Sequence, residues 1–552
     1  MSSMSMARLN NKKYWLLSLG IISFLLIYSF LVWSLWWPAL SQNLPLIFNW
    51  PDENANYFFA QLFANQNALA WPEALNNLSQ NLLRTRSMNV LPSGALVPMS
   101  FLPNIVIWGV FLKLIGRYLT LFLTPALAVA TVWVVYKLIE HIFQDKVLAR
   151  VTALLLSASA PWVYFANFSF LPTVLFIFLV SAGWLALAKS FIISKKSKLL
   201  WSVGVLLLSL AVVCRPTEIV WLAVILLFVL YFKRRELNKF KIFSGVLIFF
   251  VVSVAWLWLN KITYGSYWPL GYVNLQQAGE GSREILSKGK GLWSAIKLLF
   301  IPFGFNPLLI LSNIYKYIFE LIWPQFVFGL MGLYFIIRQI FIKKKYSLPW
   351  HKYLLLTPIV FIIILLYYGS WQLTDSMVRN LNTISISYVR YFMPLYILLL
   401  PLSAYALKKI FWQTSRAGQW SFYSLVVIIM ASGLHLAFYA KNDGLLATQS
   451  TVLGYYQQFA DVQKIAPAGS IIITAREDKI FFPYYKVIVG QEGLPLWPRL
   501  APLLKDTPVY YYTDKDDVDL QSDRIEAGKQ GLDFIEPVAI YNKFKLYKVI
   551  NK

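Results

Sequence analysis

FLPNIVIWGVFLKLIG, residues 101–116, is apolar but only 16 residues long, with Pro103 near its start. A helix needs about 20 apolar residues to cross a bilayer. Whether this segment crosses decides the side on which every later loop falls. If it does not cross, four basic clusters share a side with Arg8, Lys12 and Lys13. These are Lys195–Lys196–Lys198, Lys233–Arg234–Arg235–Lys239–Lys241, Lys343–Lys344–Lys345 and Lys408–Lys409. If it crosses, all four move to the opposite side. Cytoplasmic loops carry the Lys and Arg excess, so the segment is expected on the outer face as an interfacial or re-entrant helix.

On its N-terminal side lies an apolar run from about Tyr14 to Trp37, preceded by the basic residues. A signal peptide has a shorter apolar core and a small-residue cleavage site, and Trp36–Trp37–Pro38 is not one. This run is expected to be an uncleaved first span. On the C-terminal side, stretches of about span length lie near 119–141, 147–166, 171–193, 199–214, 217–232, 242–262, 318–342, 353–370, 388–407 and 419–440. The total is about eleven. Composition agrees: hydrophobic residues are 58% and charged residues 14%, against roughly 45–50% and 25% in soluble domains. A soluble enzyme, a disordered chain and a coiled coil are excluded. The expected fold class is a polytopic α-helical membrane protein.

Charge divides the chain at about residue 444. Residues 445–552 hold 13 acidic and 13 basic side chains, whereas residues 1–444 hold 12 and 37. The expected domains are a membrane domain, 1–444, with a first outer loop over 38–118, and a soluble extracytoplasmic tail, 445–552. Strand-like runs at Ser470–Thr474, Val487–Val489, Pro508–Thr513, Val538–Tyr541 and Lys545–Val549 predict a small α/β fold for the tail. The single Cys214 excludes an internal disulfide, and the three histidines are far apart in sequence.

Chemistry is then sought among the 12 acidic residues of the membrane domain. Asp52–Glu53 follows Trp50–Pro51 and opens a helix-like stretch, Asn54 to Ala60. One reading makes Asp52 a helix N-cap. The other makes it a general base, since a helix N-terminus favours the ionised carboxylate; Tyr57 stands close by. Basic residues on the outer face oppose the positive-inside trend. They include Arg84, Arg86, Arg215, Arg283, Arg379 and Arg390. Arg215 has a local partner in Glu218, and Arg390 can snorkel to headgroups. Converging arginines also suit a lipid phosphate.

The acidic pair after the first span, with a Tyr following, resembles the first-loop motif of GT-C glycosyltransferases. The nearest branch is that of the protein O-mannosyltransferases and lipid A aminoarabinose transferases. Further similar pieces are Leu91–Pro92–Ser93 with Val97–Pro98, Ser159–Ala160–Pro161–Trp162, and Asn260 with Thr263–Tyr264–Gly265–Ser266. Pro302–Phe303–Gly304–Phe305 and Ser387 to Pro394 complete the set, so the resemblance covers about residues 10–410. In two places the chain departs from the family. The Pro-Pro pair of the first loop is degenerate, and Phe165 to Thr173 has no acidic residue, leaving Asn167 as the nearest polar candidate.

The resemblance implies a GT-C-like membrane enzyme in the cell (plasma or inner) membrane. It would move a sugar, with inversion, from a polyprenyl-phosphate-linked donor to a protein, lipid or glycan acceptor on the outer face. Asp52 would be the base, with Glu53 assisting. Arg390, helped by Arg379, Arg283 or Arg215, would hold the donor phosphate. Tyr57, Tyr391, Asp375 and Asn167 would line the substrate site. No metal ligands are assigned and no cofactor is required, although a divalent metal stays open; nucleic acid is not a partner. The rival readings are a transporter or flippase for a polyprenyl-linked glycan, or a glycan ligase or polymerase. A transporter expects charges near mid-bilayer, whereas here they gather at the outer ends of spans.

Overall fold

The computed structural model describes residues 18–192, 195–267, 297, 300–342, 348–372, 383–412, 415–490, 496–505, 507–541 and 543–552. Among them, nine helices are long and apolar enough to cross a membrane, and up to eleven if two bent pairs each count as one span. The first bent pair is Ser18–Tyr28 with Phe30–Ser41, turned by 60°. The second is Lys146–Ser157 with Ala160–Ala166, turned by 58°. Pro161 sits in the first turn of the latter, where its missing N–H costs no helical bond.

Membership differs from expectation at two helices. Leu102–Leu121 meets the length and apolarity criterion, while Pro216–Phe232 is shorter. Gly116 breaks the former, with φ 79° and ψ 170° inside the helix. The segment that decides the topology is thus longer than the sequence suggests, but not continuous.

The chain forms two compact units. One comprises Met1–Leu31, Phe122–Trp256 and Leu275–Ala447; the other comprises Val32–Leu121, Leu257–Asn274 and Thr448–Lys552. The tail therefore shares its unit with the loop that follows the first span, a grouping that differs from a division into 1–444 and 445–552.

In the first unit the two bends are tied together. The Tyr28 hydroxyl donates to the Ser157 carbonyl at 2.6 Å, and the Leu31 N–H donates to Asn167 Oδ1 at 2.9 Å. Asp145 caps Lys146–Ser157 by accepting from the Val147 and Leu148 N–H groups, and it also pairs with Lys408. Trp323–Ile337 packs on Met393–Phe411 so closely that a Cβ on Gly332 would lie 2.0 Å from the Leu402 carbonyl oxygen.

The second unit is built on a helix and a sheet. Helix Pro51–Gln66 packs on Leu102–Leu121, where a Cβ on Gly109 would sit 2.9 Å from the Ala60 carbonyl oxygen. Between them runs a short hairpin, β1 (Met88–Val90) with β2 (Leu96–Pro98), in the register Met88↔Pro98. The tail sheet contains β3 (Ile471–Thr474), β4 (Lys486–Val489), β5 (Val509–Thr513), β6 (Leu532–Asp533), β7 (Pro537–Tyr541) and β8 (Phe544–Asn551). Its order is β4-β3-β5-β8-β6, with β7 also paired to β8. The β3 pairs are parallel and the β8 pairs antiparallel. Leu82 and Leu83, in the loop after the first span, are buried in the core of this sheet with Ile471, Ile488 and Trp497. Leu83 and Arg84 bridge to Ile488 on β4.

Candidate active site

Helix Pro51–Gln66 carries the acidic pair. Trp50 occupies the N-cap position with extended backbone (φ −101°, ψ 135°), and Pro51 is the first helical residue. Asp52 is therefore not the cap. It lies in the first turn, where the helix dipole favours negative charge. Its Oδ1 accepts a 2.6 Å hydrogen bond from the Ser87 hydroxyl. Glu53 is buried, 1% exposed, while Asp52 is half-buried. Of the pair, Asp52 is the more exposed. Tyr57 is also buried; its hydroxyl accepts from Gln61 Nε2 at 2.7 Å, and its ring meets Phe48 at 5.1 Å. Burial raises its pKa above the usual phenol value.

The tail holds this turn from both ends. Lys479 Nζ donates to the Asn49 carbonyl at 2.7 Å. Asn54 Nδ2 donates to the carbonyls of Phe482 (3.1 Å) and Lys479 (3.4 Å). Burial pulls the Lys479 ammonium down to about 8, with Arg86 adding to the effect; the Tyr455 ring lies 4.5 Å from its charge. Next to Ser87, the Arg86 N–H and Nε donate to the two oxygens of Asp478, at 2.9 and 2.8 Å. Asp478 is fully buried. Its carboxylate thus fixes Arg86, and Arg86 is the residue before the one that touches Asp52. Sequence reasoning missed Ser87. The available signal was Arg84–Thr85–Arg86, two arginines in a loop where basic residues are unexpected.

The first unit contains other candidates. Arg215 and Glu218 form a buried pair at 2.9 Å, 3% and 0% exposed. The Glu218 carboxylate also accepts from Trp221 Nε1 (2.5 Å) and the Tyr368 hydroxyl (3.1 Å). The Arg215 guanidinium lies between the Phe176 and Tyr391 rings, at 5.1 and 5.0 Å. Tyr391 stacks on Tyr368 at 4.3 Å. The extra hydrogen bonds to Glu218 offset part of the cost of burying this ion pair, while Arg215 Nη1 is buried with no hydrogen-bond partner among the described residues. Tyr391 is placed beside Arg215.

Asn167 is fully buried, and its amide donates to Val163 O and accepts from Leu31 N, which ties helices together. Arg390 is half-buried and donates to Ser387 Oγ at 2.9 Å. Arg283, Arg379 and Asp375 lie outside the described residues. Among the described residues no three His, Cys, Asp or Glu side chains come together to hold a metal. The structure groups Asp52, Glu53, Tyr57 and Ser87 in one unit, and Arg215, Glu218, Tyr391 and Arg390 in the other.

No family model and no curated protein matches the sequence. Solved structures do match in fold. One is ArnT from Cupriavidus metallidurans bound to undecaprenyl phosphate, with TM-score 0.50, 11% identity, and coverage of 96% of this chain and 97% of that one. Another is the Archaeoglobus fulgidus oligosaccharyltransferase tethered to an acceptor peptide containing an NVT sequon. It has TM-score 0.50 and 11% identity, and covers 98% of this chain and 74% of that one. The likeness runs over membrane helices and tail alike, and the chain is a multi-pass membrane protein with a GT-C-type fold.

Proposed function

We propose that the chain is an integral membrane glycosyltransferase that uses a polyprenyl-phosphate-linked sugar donor. The reading is carried by one observation: a half-buried carboxylate, Asp52, stands in the first turn of a braced helix within this fold. Both structural neighbours support it, one through its bound undecaprenyl phosphate and the other through its acceptor peptide. In the proposed reaction Asp52 takes the proton from the acceptor hydroxyl. The acceptor oxygen bonds to the anomeric carbon as the carbon–oxygen bond to phosphate breaks. A single displacement of this kind inverts the configuration. The electron pair leaves with the lipid phosphate, where Arg390, with Arg379 or Arg283, neutralises the growing charge. Glu53, buried behind Asp52, orients it. The acidic pair and the tail lie on the extracytoplasmic side, and the N-terminus on the cytoplasmic side.

Asp52→Asn tests the proposal. Asn keeps an oxygen for the Ser87 hydroxyl but loses basicity. Donor turnover with a panel of labelled polyprenyl-phosphate sugars should fall by roughly 10²–10⁴, with thermal stability unchanged. Turnover close to wild type would move the base elsewhere.

A further inference from the structure

A cleft of about 180 Å³ opens beside the braced helix. Its wall includes the rings of Phe58, Trp71, Phe482 and Tyr484, together with Arg84 and the Lys486–Glu73 pair. The rings form a connected set: Phe58 meets Phe482 at 4.8 Å and Trp71 at 5.8 Å, both edge to face. Trp71, Phe58 and Phe482 are half-buried and Tyr484 is 36% exposed, so an apolar surface is kept wet and open. Glu73 and Lys486 neutralise each other at 2.5 Å. Arg84 has no such partner. Among the described residues its guanidinium makes no hydrogen bond or ion pair, although it is half-buried in the wall. Burial lowers its pKa, but an arginine stays charged in proteins. The cleft therefore carries one uncompensated positive charge, on the side chain best shaped to grip two oxygens of one anion.

Rings beside a bare guanidinium suit a ligand with two parts. Sugar C–H faces lie well on aromatic surfaces, and a carboxylate or phosphate satisfies the arginine. We infer that this cleft binds a saccharide bearing an oxyanion, through Arg84 and the Trp71, Phe58 and Tyr484 rings. Phe58 lies six residues beyond Asp52 on the same helix, about 9 Å along its axis. Asn54, between the two, is bonded to the carbonyl of Phe482 in the cleft wall. Under the proposed function, on which this part of the inference rests, the ligand is the acidic end of the acceptor.

The test is saturation-transfer NMR on the full chain in detergent, which needs no turnover. Glucuronic acid and glucose 6-phosphate are the anionic probes, and glucose is the neutral control. Either anionic probe, or both, should show transfer well above glucose; the pair separates carboxylate from phosphate preference. Arg84→Gln should reduce that transfer by roughly fivefold or more, and Arg84→Lys should restore part of it. Because the Arg84 guanidinium makes no hydrogen bond or ion pair among the described residues, both variants should match wild type in melting temperature. Trp71→Leu should lose transfer from the sugar-ring protons. Inorganic phosphate at equal concentration should displace the sugars only weakly. Transfer from glucose equal to the anions, no transfer from any probe, no effect of Arg84→Gln, or full displacement by phosphate would overturn the assignment. Asp52→Asn should leave probe binding intact. Lost binding with intact turnover removes this inference alone, while intact binding with unaffected Asp52→Asn turnover removes the proposed function alone.

Discussion

At the scale of single residues, the Ser87 hydroxyl sets the direction of the Asp52 carboxylate. It donates to one carboxylate oxygen at 2.6 Å. Ser87→Ala should release that constraint while keeping the charge. A base misplaced by about 1 Å can lose roughly 10²-fold in rate, so transfer should drop by up to that factor, while melting temperature moves little. An unchanged rate would mean that Asp52 needs no help from Ser87. Arg390 can be tested by a graded series. Arg390→Ala should weaken donor use by roughly 10- to 100-fold, the worth of a charge-assisted bond. Arg390→Lys should recover part of it, since a point charge lacks the two-armed fork. Donor dependence equal to wild type in both variants would take Arg390 out of the donor site. The sequence exposed Asp52 because acidic residues are scarce in the membrane domain. It could not separate Arg215 from Arg390, because both end a span on the same proposed side. Only packing shows that Arg215 is buried and paired with Glu218. Asn167 raises the same difficulty: a polar residue between two spans gives no local sign that both ends of its amide are bonded.

At the scale of elements, the short helix Asp478–Phe481 is the part of the tail that reaches the candidate base. It meets Arg86 through Asp478, Asn49 through Lys479 and Asn54 through its backbone. Asp478→Asn keeps the shape but removes the charge that Arg86 faces. Asp478 is fully buried and Arg86 about one quarter exposed, so the loss should be about 2–3 kcal/mol, below that of a wholly buried pair. Melting temperature and transfer rate should fall together. Full activity at lowered stability would make the contact purely structural. Truncation of the tail is a poorer test, since it would bare Leu82 and Leu83, which lie in the sheet core. Five strands of the tail were legible because they are runs rich in β-branched and aromatic residues. Pairing of Leu83 and Arg84 with Ile488 was not, because a bridge across some 400 residues leaves no local pattern. The two-residue β6 is likewise too short to show alternation.

At the scale of the whole molecule, orientation depends on two helices that trade places. Leu102–Leu121 is 20 residues but broken at Gly116; Pro216–Phe232 is unbroken by glycine but short. Seventeen residues rise about 25 Å, against a hydrocarbon core of about 30 Å, a mismatch that a membrane absorbs by local thinning. The unbroken part of Leu102–Leu121 rises only about 21 Å. Counting either helix and omitting the other leaves everything after residue 233 on the same side. Only the loops between them change. Lys137, Lys146 and Lys189 line one cleft at the shared end of their helices. With the N-terminus inside, that end is cytoplasmic only if Leu102–Leu121 does not cross. The positive-inside rule favours this choice, which also puts Lys195, Lys196 and Lys198 inside. Reporter fusions should therefore read cytoplasmic after Lys198 and extracytoplasmic after Lys552. An extracytoplasmic reading after Lys198, with Lys552 unchanged, would make Leu102–Leu121 a true span and Pro216–Phe232 the surface segment. It would move Arg215 to the cytoplasmic side and leave Asp52, Arg390 and the tail where they are. A cytoplasmic reading after Lys552 would instead invert the outer assignment of the tail, and with it the extracytoplasmic reaction.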